Sequence, residues 1–277
     1  MKKEAAFHGC LIGRFKQYST EPKPFSILHP RLWPGTDGSW KSSKASYKIL
    51  GSGLIHLRKY INIKGQADIV NTIVRHAQGP GAFYVPSDQD GEIRGLHMTT
   101  FGRNWDPITR YEKRCRSDDG FEPLQIPLNF IHLVETAIKD AQAYLKKDMR
   151  FKKKYAHACL DELPSMRPDI CVANFYSPYG HFVLHQDCDE SSDSLEKGLP
   201  VVSISVGDEA LFYYGHTRDE RKLSYVHIKS GDVLIYGDES RLIYHGVNNI
   251  CMGSRSCEFV RACRMDVGHL NLILKQV

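Results

Sequence analysis

From residue 168 onward apolar and polar residues tend to alternate, and no other feature narrows the choice of fold as much. Short β-rich runs follow one another: ICVANFY, HFVLHQD, VVSISVG, ALFYYG, LSYVHIK, DVLIYG, RLIYHG and HLNLILKQ. Stretches such as Ser177-Pro178-Tyr179-Gly180 and Lys229-Ser230-Gly231-Asp232 read as turns between several of them. So many short strands in one block argue for a sandwich or barrel rather than an α/β sheet. Upstream the period lengthens. Residues 66–78 place Ala67, Val70, Ile73, Val74 and Ala77 at helical spacing. Residues 128–147 do the same with Ile131, Val134, Ile138, Ala141 and Leu145. The expected fold class is α+β, mainly β: two packing helices against a closed or double-layered antiparallel sheet.

The chain divides around that block. Residues 1–49 read as an irregular N-terminal arm, rich in Ser, Pro, Gly and Lys from residue 19 and pinned by Phe25, Trp33 and Trp40. Residues 50–167 carry the helices and a loop region; residues 168–277 form the β core. With 42% apolar and 25% charged residues over 277 positions, a core of useful size forms without staples, and a collagenous or wholly disordered chain is excluded. No apolar run reaches the roughly 18 residues a spanning helix needs, so no membrane partner is expected. Glu4 and His8 interrupt the weak apolar start, a poor signal peptide. The eight cysteines include no C-x-x-C pair, which points to a reducing, intracellular protein of nucleus or cytoplasm, expected as a monomer. A net charge of +5 suits a polyanion partner, though weakly. The lysine-rich run 146–154 reads first as a solvated helix end and second as a phosphate contact.

The chemistry concentrates at His185-Gln186-Asp187. Residues i and i+2 of a strand share a face, so both side chains project into one cavity. His245, in RLIYHG, is the candidate third ligand from a later strand. Two imidazoles and a carboxylate with open positions form the facial triad of non-haem Fe(II) oxygenases. On spacing alone the pair reads more readily as a hydrogen-bonded surface His and Asp, and thirteen histidines offer several third ligands.

Longer stretches decide between these. NFYSPYGHFVLHQDCDE, PVVSISVGDEALFYYG and GDVLIYGDESRLIYHG closely resemble the AlkB family of Fe(II)- and 2-oxoglutarate-dependent dioxygenases. The family pattern carries, in this order, N-x-Y, L-H-Q-D-x-D-E, P-x-V-S-x-S-x-G and R-x-x-x-H-G. The resemblance covers roughly residues 50–277 and is densest from 171 to 246. It implies a double-stranded β-helix (jelly-roll) core with a nucleotide-recognition lid, and Fe(II) held by His185, Asp187 and His245. It implies 2-oxoglutarate on Asn174, Tyr176, His269, Asn271 and Lys275. Substrate contacts fall on Trp105, Tyr111, Asp189 and Arg218, with FGRNW at 101–105, Arg110-Tyr111 and PLQIP at 123–127 resembling the lid. Trp105 would stack on an extruded base, as chemistry on a base requires, and Asp189 would read an exocyclic amine. The implied activity is oxidative removal of N-methyl groups from DNA or RNA bases, 1-methyladenine and 3-methylcytosine first and 6-methyladenine as a further candidate, with release of formaldehyde and succinate.

The last strand departs from the family. Where members carry R-x-N-x-x-x-R, whose two guanidinium groups clamp the co-substrate, this chain reads His269-Leu270-Asn271-Leu272-Ile273-Leu274-Lys275. Arg is not interchangeable with either residue at a bidentate carboxylate site. One lost charge-assisted hydrogen bond is worth about 1.5–3 kcal/mol. The departure motivates a second expectation: a catalytically weakened AlkB-like module that binds nucleic acid or protein.

Overall fold

The computed structural model describes residues 40–77, 83–85, 93–105, 110–115, 120–148, 163–263 and 265–277. Phe25, Trp33 and lysines 152–154 lie outside these residues. Ten strands form one curled antiparallel sheet: β1 (Ser46–Gly51), β2 (Leu54–Arg58), β3 (Ile93–Phe101), β4 (Ile170–His185), β5 (Val201–Gly207), β6 (Glu209–Gly215), β7 (Ser224–Ile228), β8 (Val233–Tyr236), β9 (Tyr244–Cys251) and β10 (His269–Lys275). Their order is β1-β2-β8-β5-β10-β4-β9-β6-β7, with β3 on the other side of β4. Helices α1 (Ile63–Ala77), α2 (Leu128–Lys147), α3 (Ser192–Glu196) and α4 (Cys257–Ala262), with short 3-10 helices at Glu220–Lys222 and Asp238–Ser240, complete the described elements.

Strand alternation builds two layers with different contents. Ile55 and Leu57 of β2, Cys171, Ala173 and Phe175 of β4, Val202, Ile204 and Val206 of β5, Val233 and Ile235 of β8, and Leu270, Leu272 and Leu274 of β10 share one core with α1 and α2. That face is largely apolar, with buried Thr99 of β3 bonded to His76 of α1 at 3.1 Å. Their alternate neighbours point the other way, toward Phe212, Ile243 and Val247, as a period of two requires. This inner face carries the polar residues: His56, Ser203, Ser205, Asn174, His269, Asn271 and Lys275, all buried. Polar groups buried among apolar strands cost free energy unless bonded, so the inner face is where function is to be sought.

The helices follow from their sequences. In α1, Ile69, Val70, Ile73 and Val74 are buried on one stripe. The helix starts at Ile63, earlier than the apolar spacing suggests, because the Asn62 side chain caps it by accepting from Gly65 N at 2.9 Å. The second helix spans 128–147 as its spacing predicts, burying Phe130, Val134, Ala137, Ile138 and Ala141. Lys146 and Lys147 close its last turn. None of the described helices is long and apolar enough to cross a membrane.

Two expectations about strands are corrected. Ser177-Pro178-Tyr179-Gly180 does not separate two strands, since β4 runs through it. Residues 171–176 pair with β3 and β10, while Phe182 and His185 pair with β9. The four intervening residues have no ladder partner, so the missing N–H of Pro178 removes no sheet hydrogen bond. Opposite them the register of β3 shifts between Arg94 and Leu96, which lets one long strand bend from the first half of the sheet into the second. The run RLIYHG is likewise strand only from Tyr244; Arg241 lies in a turn, its N–H bonded to Asp238 O at 2.9 Å. β1 begins at Ser46, inside the segment read as an irregular arm.

Candidate metal and co-substrate site

The bend in β4 brings His185 opposite His245 of β9 in the strand register, with ring centroids 4.4 Å apart. Gly246 permits the approach: a Cβ there would lie 2.8 Å from the Phe182 carbonyl oxygen. Asp187 is not on the strand, as the H-x-D spacing predicts, but in the loop after it. It is drawn back by Arg241, whose Nη1 donates to the Asp187 carbonyl at 2.6 Å. The three side chains offer one ligand atom each, all within 4.8 Å of one another.

Both imidazoles are oriented alike. His185 Nδ1 lies 2.9 Å from Val183 O and His245 Nδ1 lies 3.2 Å from Ile243 O. A carbonyl oxygen only accepts, so each Nδ1 carries the proton and each Nε2 presents its lone pair to the site. Loss of hydration, with the neighbouring His245 ring, lowers the His185 pKa to about 4; loss of hydration lowers that of His245 as well. Both rings are therefore neutral near pH 7, the form that binds metal. For Asp187 burial opposes ionisation, but the Lys275 ammonium and the two imidazoles outweigh it and hold the carboxyl well below the usual range. Tyr236 donates its hydroxyl to Asp187 Oδ2 at 2.7 Å, and Phe182 stacks on His185 at 4.0 Å. This donor set, two neutral imidazoles and a carboxylate, fits a divalent iron centre with open positions.

Behind the triad lies a closed ionic cluster. Lys275 Nζ reaches Asp187 Oδ1 at 3.1 Å and Glu190 Oε1 at 2.5 Å, and Arg241 Nη2 reaches Glu190 Oε2 at 2.8 Å. Burial works against the Lys275 charge, yet Asp187 and Glu190 raise its pKa. Tyr111 adds its hydroxyl to Glu190 Oε1 at 3.3 Å. Neither Tyr236 nor the bonding of Arg241 figured among the residues singled out from sequence, although Arg241 stands inside R-x-x-x-H-G. The signal was present but did not say what the guanidinium holds.

Along the inner face, Asn174 and Tyr176 of β4 sit opposite Asn271 and His269 of β10. Asn271 Nδ2 donates to Ser203 Oγ at 2.8 Å and to Ile204 O at 3.2 Å. His269 Nδ1 lies 2.7 Å from Asp208 O, while His269 Nε2 and Asn174 Oδ1 are buried with no partner among the described residues. Lys275 is six residues further along β10, about 20 Å at strand rise, and is committed to Asp187 and Glu190. The four residues Asn174, Tyr176, His269 and Asn271 thus come together, and Lys275 joins the metal end instead.

Of the expected substrate residues, Trp105 and Asp189 meet, while Tyr111 joins the Glu190 cluster. Trp105 Nε1 donates to Asp189 Oδ2 at 2.9 Å, and Arg110 Nη1 reaches the same oxygen at 3.2 Å. Tyr84 bonds the Trp105 carbonyl at 3.2 Å. Arg218 is exposed, its guanidinium 5.4 Å from the centre of the Tyr244 ring next to His245.

Comparisons with known proteins agree with this geometry. Residues 53–272 match the 2OG-Fe(II) oxygenase superfamily. The DNA N(6)-methyladenine demethylase ALKBH1C of Arabidopsis thaliana is 39% identical over 251 residues, 90% of this chain and 54% of the relative. The alpha-ketoglutarate-dependent dioxygenase AlkB of Escherichia coli (strain K12) is 38% identical over 90 residues, 32% of this chain and 40% of the relative. The solved structure of OsALKBH1 is 39% identical with a TM-score of 0.78, covering 84% of this chain and 100% of that one. The chain spans about half the length of the curated ALKBH1 relatives it matches.

Proposed function

The chain belongs to the 2OG-Fe(II) oxygenase superfamily, in its AlkB branch, and from that premise we propose that it is an oxidative demethylase of nucleic-acid bases. The observation that carries this reading is the His185–Asp187–His245 cluster, ligand atoms within 4.8 Å, with Asp189 two residues beyond Asp187 hydrogen-bonded to Trp105. In this reading the three side chains hold Fe(II), and Asn174, Tyr176, His269 and Asn271 line the 2-oxoglutarate subsite. Iron and 2-oxoglutarate bound there would activate O2, one oxygen atom oxidising the co-substrate to succinate and CO2 and the other hydroxylating an N-methyl carbon.

The protein's own residues do the rest. Trp105 offers a face that replaces stacking lost by the extruded base, worth about 1–3 kcal/mol. Asp189 accepts from an exocyclic amine, its carboxylate aimed by the indole N–H and Arg110. Tyr236 and Lys275 fix the Asp187 carboxylate from behind, and Arg241 holds its main-chain carbonyl. The hydroxymethyl group then leaves as formaldehyde: its hydroxyl proton is lost, the C–N bond breaks and the electron pair returns to the base nitrogen. Candidate substrates are 1-methyladenine, 3-methylcytosine and N6-methyladenine; the last is named for the ALKBH1C and ALKBH1D relatives. The test is release of formaldehyde and succinate from a panel of methylated DNA and RNA oligonucleotides. Stoichiometric release on at least one base, abolished in Asp187→Ala, is expected; no release from any would overturn the reading.

One observation favours a second reading, a module that binds nucleic acid without turnover. The first clamp position holds a neutral imidazole and the second holds a lysine engaged elsewhere. That module would retain salt-dependent oligonucleotide binding while producing no succinate.

A further inference from the structure

At the co-substrate end of the inner face two buried residues leave acceptor atoms unbonded among the described residues. His269 is completely buried and Asn174 almost so. The two stand one diagonal step apart on adjacent strands. Each turns a polar atom inward without a partner, His269 Nε2 and Asn174 Oδ1. Such atoms are costly unless something bonds them. Both are acceptors as they stand, whereas a dicarboxylate also only accepts. Asn174 can resolve this by rotating its amide, because the Tyr176 hydroxyl it bonds can donate as well as accept. His269 cannot rotate away. Its Nδ1–H is held on Asp208 O at 2.7 Å, so Nε2 becomes a donor only by gaining a proton. Gly268 fixes the approach: at φ +151 a Cβ would lie 2.4 Å from Tyr176 O, so the backbone beside His269 has little room to move.

Resting on the co-substrate reading above, we propose that His269 grips the carboxylate of 2-oxoglutarate distal to the metal by taking up a proton as the co-substrate binds. The residue thereby becomes an imidazolium bonded to Asp208 O on one side and to the ligand on the other. The free ring is neutral, its pKa brought to about 4 by burial. The charged groups facing it favour the change. Asp208 follows β5, with Arg255 Nε 4.0 Å from its carboxylate, and Asp232 precedes β8 with His56 2.8 Å from its carboxylate. From β4 the facing titratable group is Tyr176. A ligand dianion adds to them, so affinity and protonation are linked. The substitution of His for Arg then makes co-substrate affinity pH-dependent where a guanidinium would make it constant.

The experiment is calorimetric titration of 2-oxoglutarate into the Mn(II)-loaded full chain between pH 5.5 and 8, in buffers of differing ionisation enthalpy. The expected result is uptake of close to one proton per co-substrate and affinity falling about tenfold per pH unit until the imidazolium of the complex titrates. His269→Arg should bind without that uptake and with a flat profile, tighter than the native chain at pH 8. His269→Asn should lose the slope and bind more weakly throughout. Native binding with no proton uptake, or a slope that survives in His269→Asn, overturns the proposal and leaves the co-substrate reading standing. Absence of binding to the native chain and to His269→Arg at every pH, with Mn(II) still bound, overturns both.

Discussion

The two ends of the inner face are built on opposite terms. At the metal end the carboxylates are bonded in full: Asp187 to Tyr236 and Lys275, Glu190 to Lys275, Arg241 and Tyr111. At the co-substrate end, two residues of β4 and β10 are buried with unpartnered atoms. The first end is therefore held before any ligand arrives, since all four carboxylate oxygens are bonded and only Arg241 Nε lacks a partner among the described residues. The second is incomplete and awaits a donor. Preorganisation where a metal must be held rigidly, and incompleteness where a co-substrate must come and go, suit a catalyst that turns over.

Breaking the metal end should produce the largest change. Arg241→Ala removes a buried guanidinium and leaves the Asp187 carbonyl and Glu190 Oε2 without it. The expected loss is about 3–5 kcal/mol in unfolding free energy, read by urea denaturation, with weakened Mn(II) binding. A loss under 1 kcal/mol would mean the cluster is not tightly held.

The second comparison is by pH. The unfolded chain binds a proton on His269 below about 6.5, while the folded chain does so only below about 4. Between those values the unfolded state carries more protons, so stability of the metal-free protein rises with pH across that window. His269 alone accounts for roughly 3 kcal/mol, and His185 and His245 add in the same direction. Denaturation midpoints at pH 5 and 7 measure it. His269→Asn should flatten the rise without abolishing it.

The smallest effect belongs to the lid. Trp105→Ala should weaken binding of a methylated oligonucleotide by about 1–3 kcal/mol and leave 2-oxoglutarate affinity nearly unchanged. An equal loss of co-substrate affinity would show that the lid and the inner face are one cooperative unit.

Sequence and structure meet unevenly along this molecule. The run VVSISVG is legible because strand alternation is local, and it appears as β5 with Val202, Ile204 and Val206 outward. β1, β2 and β3 are not legible. Ser46–Gly51 mixes polar and apolar residues because that edge of the sheet is partly exposed, and the first two strands find their places only by pairing with each other and with distant β8. The continuity of β4 was hidden by Pro178 and Gly180, which signal a turn wherever no long-range pairing overrides them. At the site, the spacing of His185 and Asp187 carried the chemistry, but the loop position of Asp187 depends on Arg241, 54 residues away. Similarly, His269 and Lys275 read as two halves of one clamp. Their separation into two ends follows from the salt bridges of Lys275, which no local pattern encodes.

The central claim is that these two ends form one site, metal first and co-substrate beside it. Mn(II) electron paramagnetic resonance tests it most directly, by titrating the metal and then adding 2-oxoglutarate at pH 6.5. The account predicts one tightly bound Mn(II) per chain, a change in its spectrum on adding 2-oxoglutarate, and loss of both in Asp187→Ala. A native chain that is folded yet binds no Mn(II), or binds it with a spectrum indifferent to millimolar 2-oxoglutarate, would contradict it.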